Sequence, residues 1–95
     1  MSYKLEFVQS ALKEWEKLDA PIRALFKKKL AERLDAPRID VSRLNGMTDC
    51  YKIKLKSSGY RLVYKVLDQE IVVLVVAVGK RERNAVYKMA MKRVK

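Results

Sequence analysis

The chain has no histidine, one cysteine, three glycines and two prolines among its 95 residues. Without histidine, the usual acid–base pair for cleaving RNA is absent. The lone Cys50 excludes a disulfide framework, and no group of carboxylates or thiols has the spacing of a metal site. Gly46 and Gly59 belong to no phosphate-binding loop pattern. We therefore expect no metal and no cofactor, and we expect Cys50 to be a buried apolar residue.

Long apolar segments are also missing. The longest apolar run, at 71–78, has eight residues, whereas a membrane helix needs ~20. The N-terminus lacks the apolar core of a signal peptide. The composition is 49% apolar and 35% charged, which is typical of a folded chain. These features predict a soluble cytoplasmic protein with no membrane partner and a single domain over residues 1–95.

Acidic residues are few relative to basic ones. The chain has 11 Asp and Glu against 22 Lys and Arg, for a net charge of +11. The basic surplus is three residues up to position 48 and eight residues after it. Such a surface attracts polyanions by releasing their counterions. Nucleic acid is therefore the favoured class of partner, an acidic protein the second, and a membrane surface the least favoured.

Strict alternation marks the stretch 51–56, where apolar residues take every odd position and lysine takes every even one. This period of two predicts a half-buried strand. Ser57-Ser58-Gly59 is a turn signal, and 60–67 is rich in aromatic and branched residues, so the two stretches should form a hairpin. The lysines of the first strand then share one face.

The length of the hairpin loop decides which side chains meet. A loop of two or four residues would pair Leu55 with Tyr60 and Lys54 with Arg61, whereas a three-residue loop would turn Arg61 to the other face. In the even register, Lys52, Lys54 and Arg61 crowd one open face, where like charges opposite each other are destabilising. We expect an anionic partner to bind that face.

The rest of the chain predicts an α+β fold. Two amphipathic helices precede the hairpin, with Ser10 as a candidate N-cap, Pro21 in the first turn of the second helix, and Pro37 after its end. A second turn at Asp68-Gln69 leads into a central strand that ends at Gly79. The remaining predicted features are a strand over 3–7, apolar stripes at Val8, Ala11, Leu12, Trp15 and Leu18 and at Ile22, Leu25, Phe26, Leu30 and Leu34, and a helix over 85–93 capped by Asn84. The predicted fold is an N-terminal helical hairpin packed on a mainly antiparallel, about four-stranded sheet, with a short C-terminal helix.

Any chemistry must use lysine, arginine, tyrosine, an exposed carboxylate or groups of the substrate, and these suit phosphoryl transfer. Neighbouring cations make the proton of a lysine easier to lose, and Lys54 is the best placed for this. Arg61 can hold phosphate oxygens, Arg81 can act at the leaving oxygen, and Tyr87 offers a ring for base stacking. A solvated basic face, with Tyr87 merely docking the last helix, is the alternative. The residues alone indicate only a basic RNA-binding domain.

Two stretches carry a family resemblance. Residues 44–64 read Leu-Asn-Gly-Met-Thr-Asp-Cys-Tyr-Lys-Ile-Lys-Leu-Lys-Ser-Ser-Gly-Tyr-Arg-Leu-Val-Tyr, and residues 78–83 read Val-Gly-Lys-Arg-Glu-Arg, with Val86-Tyr87 following. With them the chain resembles the RelE toxins over its whole length. The resemblance implies a bacterial toxin that cuts mRNA in the ribosomal decoding site, where a ribose 2′-hydroxyl attacks the adjacent phosphate and a cyclic phosphate is left.

The resemblance also implies residue roles. Lys54 would be the general base, supported by Lys52, and Arg61 would stabilise the phosphorane-like charge. Arg81 would act on the leaving 5′ oxygen, and Tyr87 would stack on the message and orient it. The basic residues expected to contact RNA or the ribosome are Lys27, Lys28, Lys29, Arg43, Lys56, Lys80 and Arg83. For the three consecutive lysines on the second helix, a solvated outer face is the alternative.

The implied partners are a RelB-like antitoxin that wraps the basic surface, the ribosome with bound mRNA, and operator DNA reached only through the toxin–antitoxin complex. Two other functions stay open. A noncatalytic toxin of the same fold, like the ParE toxins that poison gyrase, is not expected to carry the five residues of the implied catalytic set. A plain RNA-binding module would bind RNA and leave it intact.

Overall fold

A four-stranded sheet forms the centre of the fold, with the strand order β1-β4-β3-β2. The first and fourth strands are parallel, and the other neighbours are antiparallel. The protein is described by a computed structural model over residues 2–80, 82 and 84–94. The elements are β1 (Lys4–Phe7), α1 (Gln9–Glu16), α2 (Ala20–Asp35), a 3-10 turn (Asp40–Ser42), β2 (Cys50–Leu55), β3 (Tyr60–Leu67), β4 (Val72–Lys80) and α3 (Ala85–Arg93). The predicted α+β class and mainly antiparallel sheet are confirmed.

Helices cover both faces of the sheet. The face that carries Ile53, Leu62 and Val75 packs against α1 and α2, and we call it the α1–α2 face. The opposite face, which carries Val63 and Val76, packs against α3, and we call it the α3 face. β4 lies between two neighbours and is buried on both faces, which explains its nearly unbroken apolar run.

The helices differ in detail from the sequence prediction. α1 begins at Gln9 with Val8 at its N-cap, so Ser10 lies inside the first turn and the predicted cap was wrong. Leu12 and Leu25 are 39% and 48% exposed, so the buried stripes are narrower than the apolar pattern. Among the helices of the described residues, none is both long enough and apolar enough to cross a bilayer.

The ends of β4 and α3 also differ from expectation. Gly79 does not end the strand, because Gly79 and Lys80 continue its pairing with β3. Asn84 does occupy the N-cap of α3, but with φ 61° and without a capping hydrogen bond from its side chain. α3 therefore lacks the side-chain cap that would support a short helix.

The β2–β3 hairpin has a four-residue loop and the even register. Leu55 pairs with Tyr60 and Lys54 pairs with Arg61, which is the alternative expected for an even loop. Gly59 closes the loop at φ +76°, and its N–H donates to the Leu55 carbonyl at 2.9 Å. A glycine suits this position because it adopts positive φ without strain.

Arg38 joins loops at the other end of the sheet. Its guanidinium donates to the carboxylates of Asp49 and Asp68 at 3.0 and 2.7 Å, and to the Tyr51 hydroxyl at 3.2 Å. The Tyr3 hydroxyl donates to the other carboxylate oxygen of Asp68 at 2.7 Å. The hydrogen bonds from Tyr3 and Arg38 lower the pKa of Asp68.

Replacing Asp68 by Asn is expected to make the stability of the fold less sensitive to acid. The folded-state pKa of Asp68 lies below its ordinary value of 3.8. Its stabilising contribution is therefore complete above pH 3.8 and is lost as the pH falls through the folded-state pKa. Urea midpoints measured at neutral pH and below pH 3.8 should differ less for Asp68→Asn than for the natural chain. Glu70→Gln, in the same turn, is the control, and an equal effect of both variants would contradict this prediction.

Ile71 ends the β3–β4 turn with a φ of 57°. Its N–H donates to the Asp68 carbonyl at 3.2 Å, and its own carbonyl accepts from the N–H of Lys4 at 2.8 Å. A β-branched residue in the left-handed region is strained, at a cost of about 1–2 kcal/mol. The turn and the start of β1 hold Ile71 in this conformation.

Ile71→Gly is expected to be more stable than Ile71→Ala, by about 1 kcal/mol in the free energy of unfolding. Both variants remove the partly exposed side chain, but only glycine relieves the backbone strain. Urea denaturation of the two variants measures the difference. An alanine variant as stable as the glycine variant would show that the backbone is not strained here.

Candidate active site

The cations predicted for catalysis come together on the α3 face. Lys54 of β2 pairs directly with Arg61 of β3, and Arg61 pairs in turn with Gly79 of β4. Lys52 precedes Lys54 by two residues and pairs with the buried Val63, so it points to the same face. The hairpin thus assembles three of the five residues predicted for the catalytic set.

A cleft of about 220 Å³ opens beside these cations at the end of the sheet. Its lining residues are Lys54, Leu55, Lys56, Gly59 and Arg61. Lys56 lies in the hairpin loop just beyond β2 and is exposed. Three cationic side chains on the wall of one opening create a positive potential that attracts phosphate groups.

A larger cleft, of about 490 Å³, lies at the other end of β2 and is lined by 43–49 with Arg38 and Tyr51. Its arginines are already paired: Arg38 with Asp49 and Asp68, and Arg43 with Asp40. These carboxylates offset the positive charge that an anion would require. We therefore place the candidate site in the smaller cleft, where the cations of the hairpin converge.

Tyr87 on α3 covers part of the cation face, which the sequence had predicted to be open. The guanidinium carbon of Arg61 lies 5.9 Å from the centroid of the Tyr87 ring, within the range of a cation–π contact. The Tyr87 hydroxyl is buried and has no hydrogen-bond partner within the part of the chain that is described. Such a hydroxyl costs about 1–3 kcal/mol, and a nearby phosphate oxygen would satisfy it.

A hydrogen bond from α2 holds the backbone of β2 at the site. Arg33 donates from one nitrogen to the Lys52 carbonyl at 3.2 Å and to the Tyr64 hydroxyl at 2.8 Å. The Tyr64 hydroxyl donates in turn to the Pro37 carbonyl at 2.7 Å. Burial raises the pKa of Tyr64, so its hydroxyl remains protonated and able to donate. This network fixes the outer edge of β2 beneath Lys52.

The other predicted residues are placed as follows. Arg81 and Arg83 lie outside the described residues. The remaining predicted RNA contacts are exposed, and none of them except Lys56 lines the smaller cleft: Lys27, Lys28, Lys29, Arg43, Lys56 and Lys80. Lys80 lies 5.9 Å from the centroid of the Tyr60 ring. The three lysines of α2 lie on its exposed surface, which is compatible with both interpretations considered from the sequence.

Two residues near the site were missed by sequence reasoning. Glu14 of α1 and Arg93 of α3 form a two-pronged ion pair, at 2.9 and 3.1 Å. A signal was present, because each charge lies three residues after a small buried residue, Ala11 or Ala90, and so borders an apolar stripe. A charged side chain in such a position needs a partner when the stripe is buried.

The arrangement can bind a phosphodiester and stabilise negative charge on it. Arg61 offers a planar donor fork, and Lys54 and Lys52 offer amines beside it. The Tyr87 ring supplies a flat surface for a base. Such a set suits phosphoryl transfer driven by positioning and charge.

Known proteins are similar to this chain in fold and in sequence. Residues 5–85 match the family described as the ParE toxin of type II toxin–antitoxin system, parDE. The chain is 58% identical over 94 residues, 99% of each chain, to the mRNA interferase toxin RelE of Escherichia coli (strain K12). A double mutant of E. coli RelE in the free state has a TM-score of 0.92 and 56% identity, with full coverage of both chains. The toxin of the intact E. coli RelBE toxin–antitoxin complex has a TM-score of 0.84 and 58% identity, over 86% of this chain and 100% of that one.

Two N-terminal helices and a short C-terminal helix on opposite faces of this sheet define a small toxin fold. The chain belongs to the RelE/ParE family of toxins from type II toxin–antitoxin systems. The resemblance drawn from residues 44–64 and 78–87 is thereby confirmed.

The two buried tyrosine hydroxyls of this region should respond differently to removal. Tyr64→Phe is expected to lower the free energy of unfolding by about 1–3 kcal/mol, because Arg33 and the Pro37 carbonyl lose a partner. Tyr87→Phe is expected not to lower the free energy of unfolding, because it removes a hydroxyl without a partner. Urea denaturation of both variants tests the pair. Equal destabilisation by the two substitutions would mean that the Tyr87 hydroxyl is satisfied in solution.

Proposed function

We propose that this chain is the toxin of a type II toxin–antitoxin system and acts as a ribosome-dependent endoribonuclease that cleaves mRNA in the decoding site. The main support is the pairing of Lys54 with Arg61 on the face that Tyr87 partly covers. A relative described as an mRNA interferase toxin, 58% identical over almost the whole chain, gives the second support.

In the proposed reaction the message supplies its own nucleophile. Lys54, in its neutral form, accepts the proton of a ribose 2′-hydroxyl, and Lys52 supports it by its charge. The 2′ oxygen forms a bond to the adjacent phosphorus, and the bond from phosphorus to the 5′ oxygen breaks. The products are a 2′,3′-cyclic phosphate and a 5′-hydroxyl end.

The cations stabilise the charge that builds during this step. Arg61 holds the equatorial oxygens of the phosphorane-like transition state. Arg81, whose role rests on the family resemblance, acts at the leaving 5′ oxygen, which takes up a proton from water, and Lys54 later returns its proton to the solvent. Because an arginine holds its own proton tightly, stabilising the charge is the larger part of that role. Tyr87 stacks on a base and orients the message.

Dependence on the ribosome follows from the chemistry of these groups. A lysine side chain is ordinarily protonated at neutral pH, so only a small fraction of it is available to act as a base. The reaction must then gain most from alignment of the 2′ oxygen, phosphorus and 5′ oxygen, and alignment can contribute about 7–11 kcal/mol. A message held in the decoding site of the ribosome supplies that alignment, whereas free RNA does not.

The proposed partners are the ribosome with bound mRNA and a RelB-like antitoxin. Exposed lysines on α2 and around the cleft would contact ribosomal RNA, in keeping with the net charge of +11. The relative described in the RelBE toxin–antitoxin complex supports the antitoxin. Acidic residues of the antitoxin would contact the basic surface of this chain. Operator DNA would be bound only by the toxin–antitoxin complex.

Cleavage of a defined message in a purified translation system tests the proposal. We expect cuts at ribosome-occupied codons, with cyclic phosphate ends, and no cuts in ribosome-free RNA. Lys54→Ala and Arg61→Ala should each lower the cleavage rate by about 10²-fold or more. Lys13→Ala, which removes an exposed cation from α1, is the matched control and should cleave at the natural rate.

Other results would favour the alternatives. An intact message with altered DNA topology would indicate a noncatalytic toxin of the gyrase-poisoning type. RNA that binds and stays intact would indicate a plain RNA-binding module. Equal losses of cleavage rate in Lys54→Ala and Lys13→Ala would mean that the cation face acts only through its general positive charge.

A further inference from the structure

The Glu14–Arg93 ion pair connects three elements across the edge of β4. Arg93 donates to both carboxylate oxygens of Glu14, at 2.9 and 3.1 Å, and also to the Val76 carbonyl at 2.8 Å. The N–H of Val78 donates to Glu14 at 3.1 Å. The side chains of Arg93 and Glu14 are 18% and 32% exposed, respectively, so solvent screens the pair only in part. β1 ends at Phe7, and this pair occupies the edge of β4 beyond it.

Few other contacts hold α3 on the sheet. Nine residues are too few for a stable isolated helix, and the Asn84 side chain does not cap it. Its buried residues are Val86, which lies close to Gly79, and Ala90. A Cβ atom built on Gly79 would lie 3.3 Å from a methyl carbon of Val86, so the first turn of α3 approaches the sheet closely. The last turn is held by Arg93.

Docking of α3 also carries a cost. The Tyr87 hydroxyl is buried without a partner in the described part of the chain, and release of the helix would return it to water. Tyr87 lies six residues before Arg93, about 9 Å along the helix. The ion pair at the end of α3 therefore opposes release of the helix from the sheet, which the buried Tyr87 hydroxyl favours.

We infer that Glu14 and Arg93 are positioning residues for Tyr87. The pair holds α3 on the sheet against the cost of the buried hydroxyl, and so keeps the Tyr87 ring against Arg61, which lines the cleft. Neither residue contacts the substrate in this scheme. The inference rests on the proposed function for its effect on catalysis, but its effect on α3 is independent of any activity.

Amide hydrogen exchange of the full chain without RNA tests the structural half. Glu14→Gln and Arg93→Gln should lower the protection of the α3 amides 88–93 by about 10-fold or more, while Val63 in β3 keeps its natural protection. Adding Tyr87→Phe to Glu14→Gln should restore part of the loss, because the docked helix then buries no unsatisfied hydroxyl. Equal loss of protection at α3 and Val63, or no restoration by the second substitution, would overturn the inference.

Steady-state cleavage in the purified translation system tests the catalytic half. The two substitutions change the net charge in opposite directions, so an electrostatic effect on RNA binding would move KM in opposite directions. Loss of positioning should instead lower kcat in both variants, by about 10- to 100-fold, with KM little changed. Glu16→Gln and Lys92→Gln are the matched controls, since they make the same charge changes at exposed positions of α1 and α3.

The outcomes separate the two proposals. If the natural chain does not cleave ribosome-bound mRNA, the proposed function fails, and hydrogen exchange still decides whether the pair holds α3. If the natural chain cleaves and both variants retain the natural kcat, the positioning role is refuted. Opposite shifts of KM with an unchanged kcat would also refute it.

Discussion

The register of the β2–β3 hairpin is the constraint on which both the fold and the candidate site depend. It buries Tyr51, Ile53 and Leu55 against α1 and α2, and each such side chain contributes about 1.5–3 kcal/mol to stability. The same register places Lys54 opposite Arg61, and a like-charge pair there costs up to about 1 kcal/mol. Burial outweighs repulsion, so the core holds the cations together. A slip of one residue would exchange the faces and expose the core residues of β2.

α3 packs on the same sheet face that carries the cations of the hairpin. Its apolar residues cover the buried part of the α3 face, and Tyr87 meets Arg61 at the border with the cations. An aromatic ring accepts a cation on its face, whereas an aliphatic side chain would only desolvate it. The helix can therefore lie beside the cations without covering Lys54, which remains exposed and lines the cleft. Its place is set by side chains at both of its ends.

The parts of the structure that follow local rules could be predicted from the sequence. The period-two alternation identified β2, and the Ser57-Ser58-Gly59 signal identified the hairpin loop. The sequence left the loop length open, and the structure shows the even loop that pairs Lys54 with Arg61. The parallel pairing of β1 with β4 was not predicted, because it joins segments separated by two helices and has no local pattern. The exposure of Leu25 was missed for a related reason, since the width of a buried stripe depends on the partner surface. The Glu14–Arg93 pair spans 79 positions, and its two charges border different helical stripes, so only the assembled fold brings them together.

A site made of lysine, arginine and tyrosine has consequences for selectivity. Charge attracts any polyanion, so binding alone cannot distinguish a message in the ribosome from other RNA. The chemical step of the proposed reaction would distinguish them, because without a strong base its rate depends steeply on how the ribose and phosphate are aligned. In the proposed reaction, the absence of histidine would therefore spare RNA that the net charge of +11 attracts without selectivity. In the proposed function, the hairpin with cations on adjacent strands, faced by the Tyr87 ring on α3, would act as a template for a substrate that the ribosome aligns.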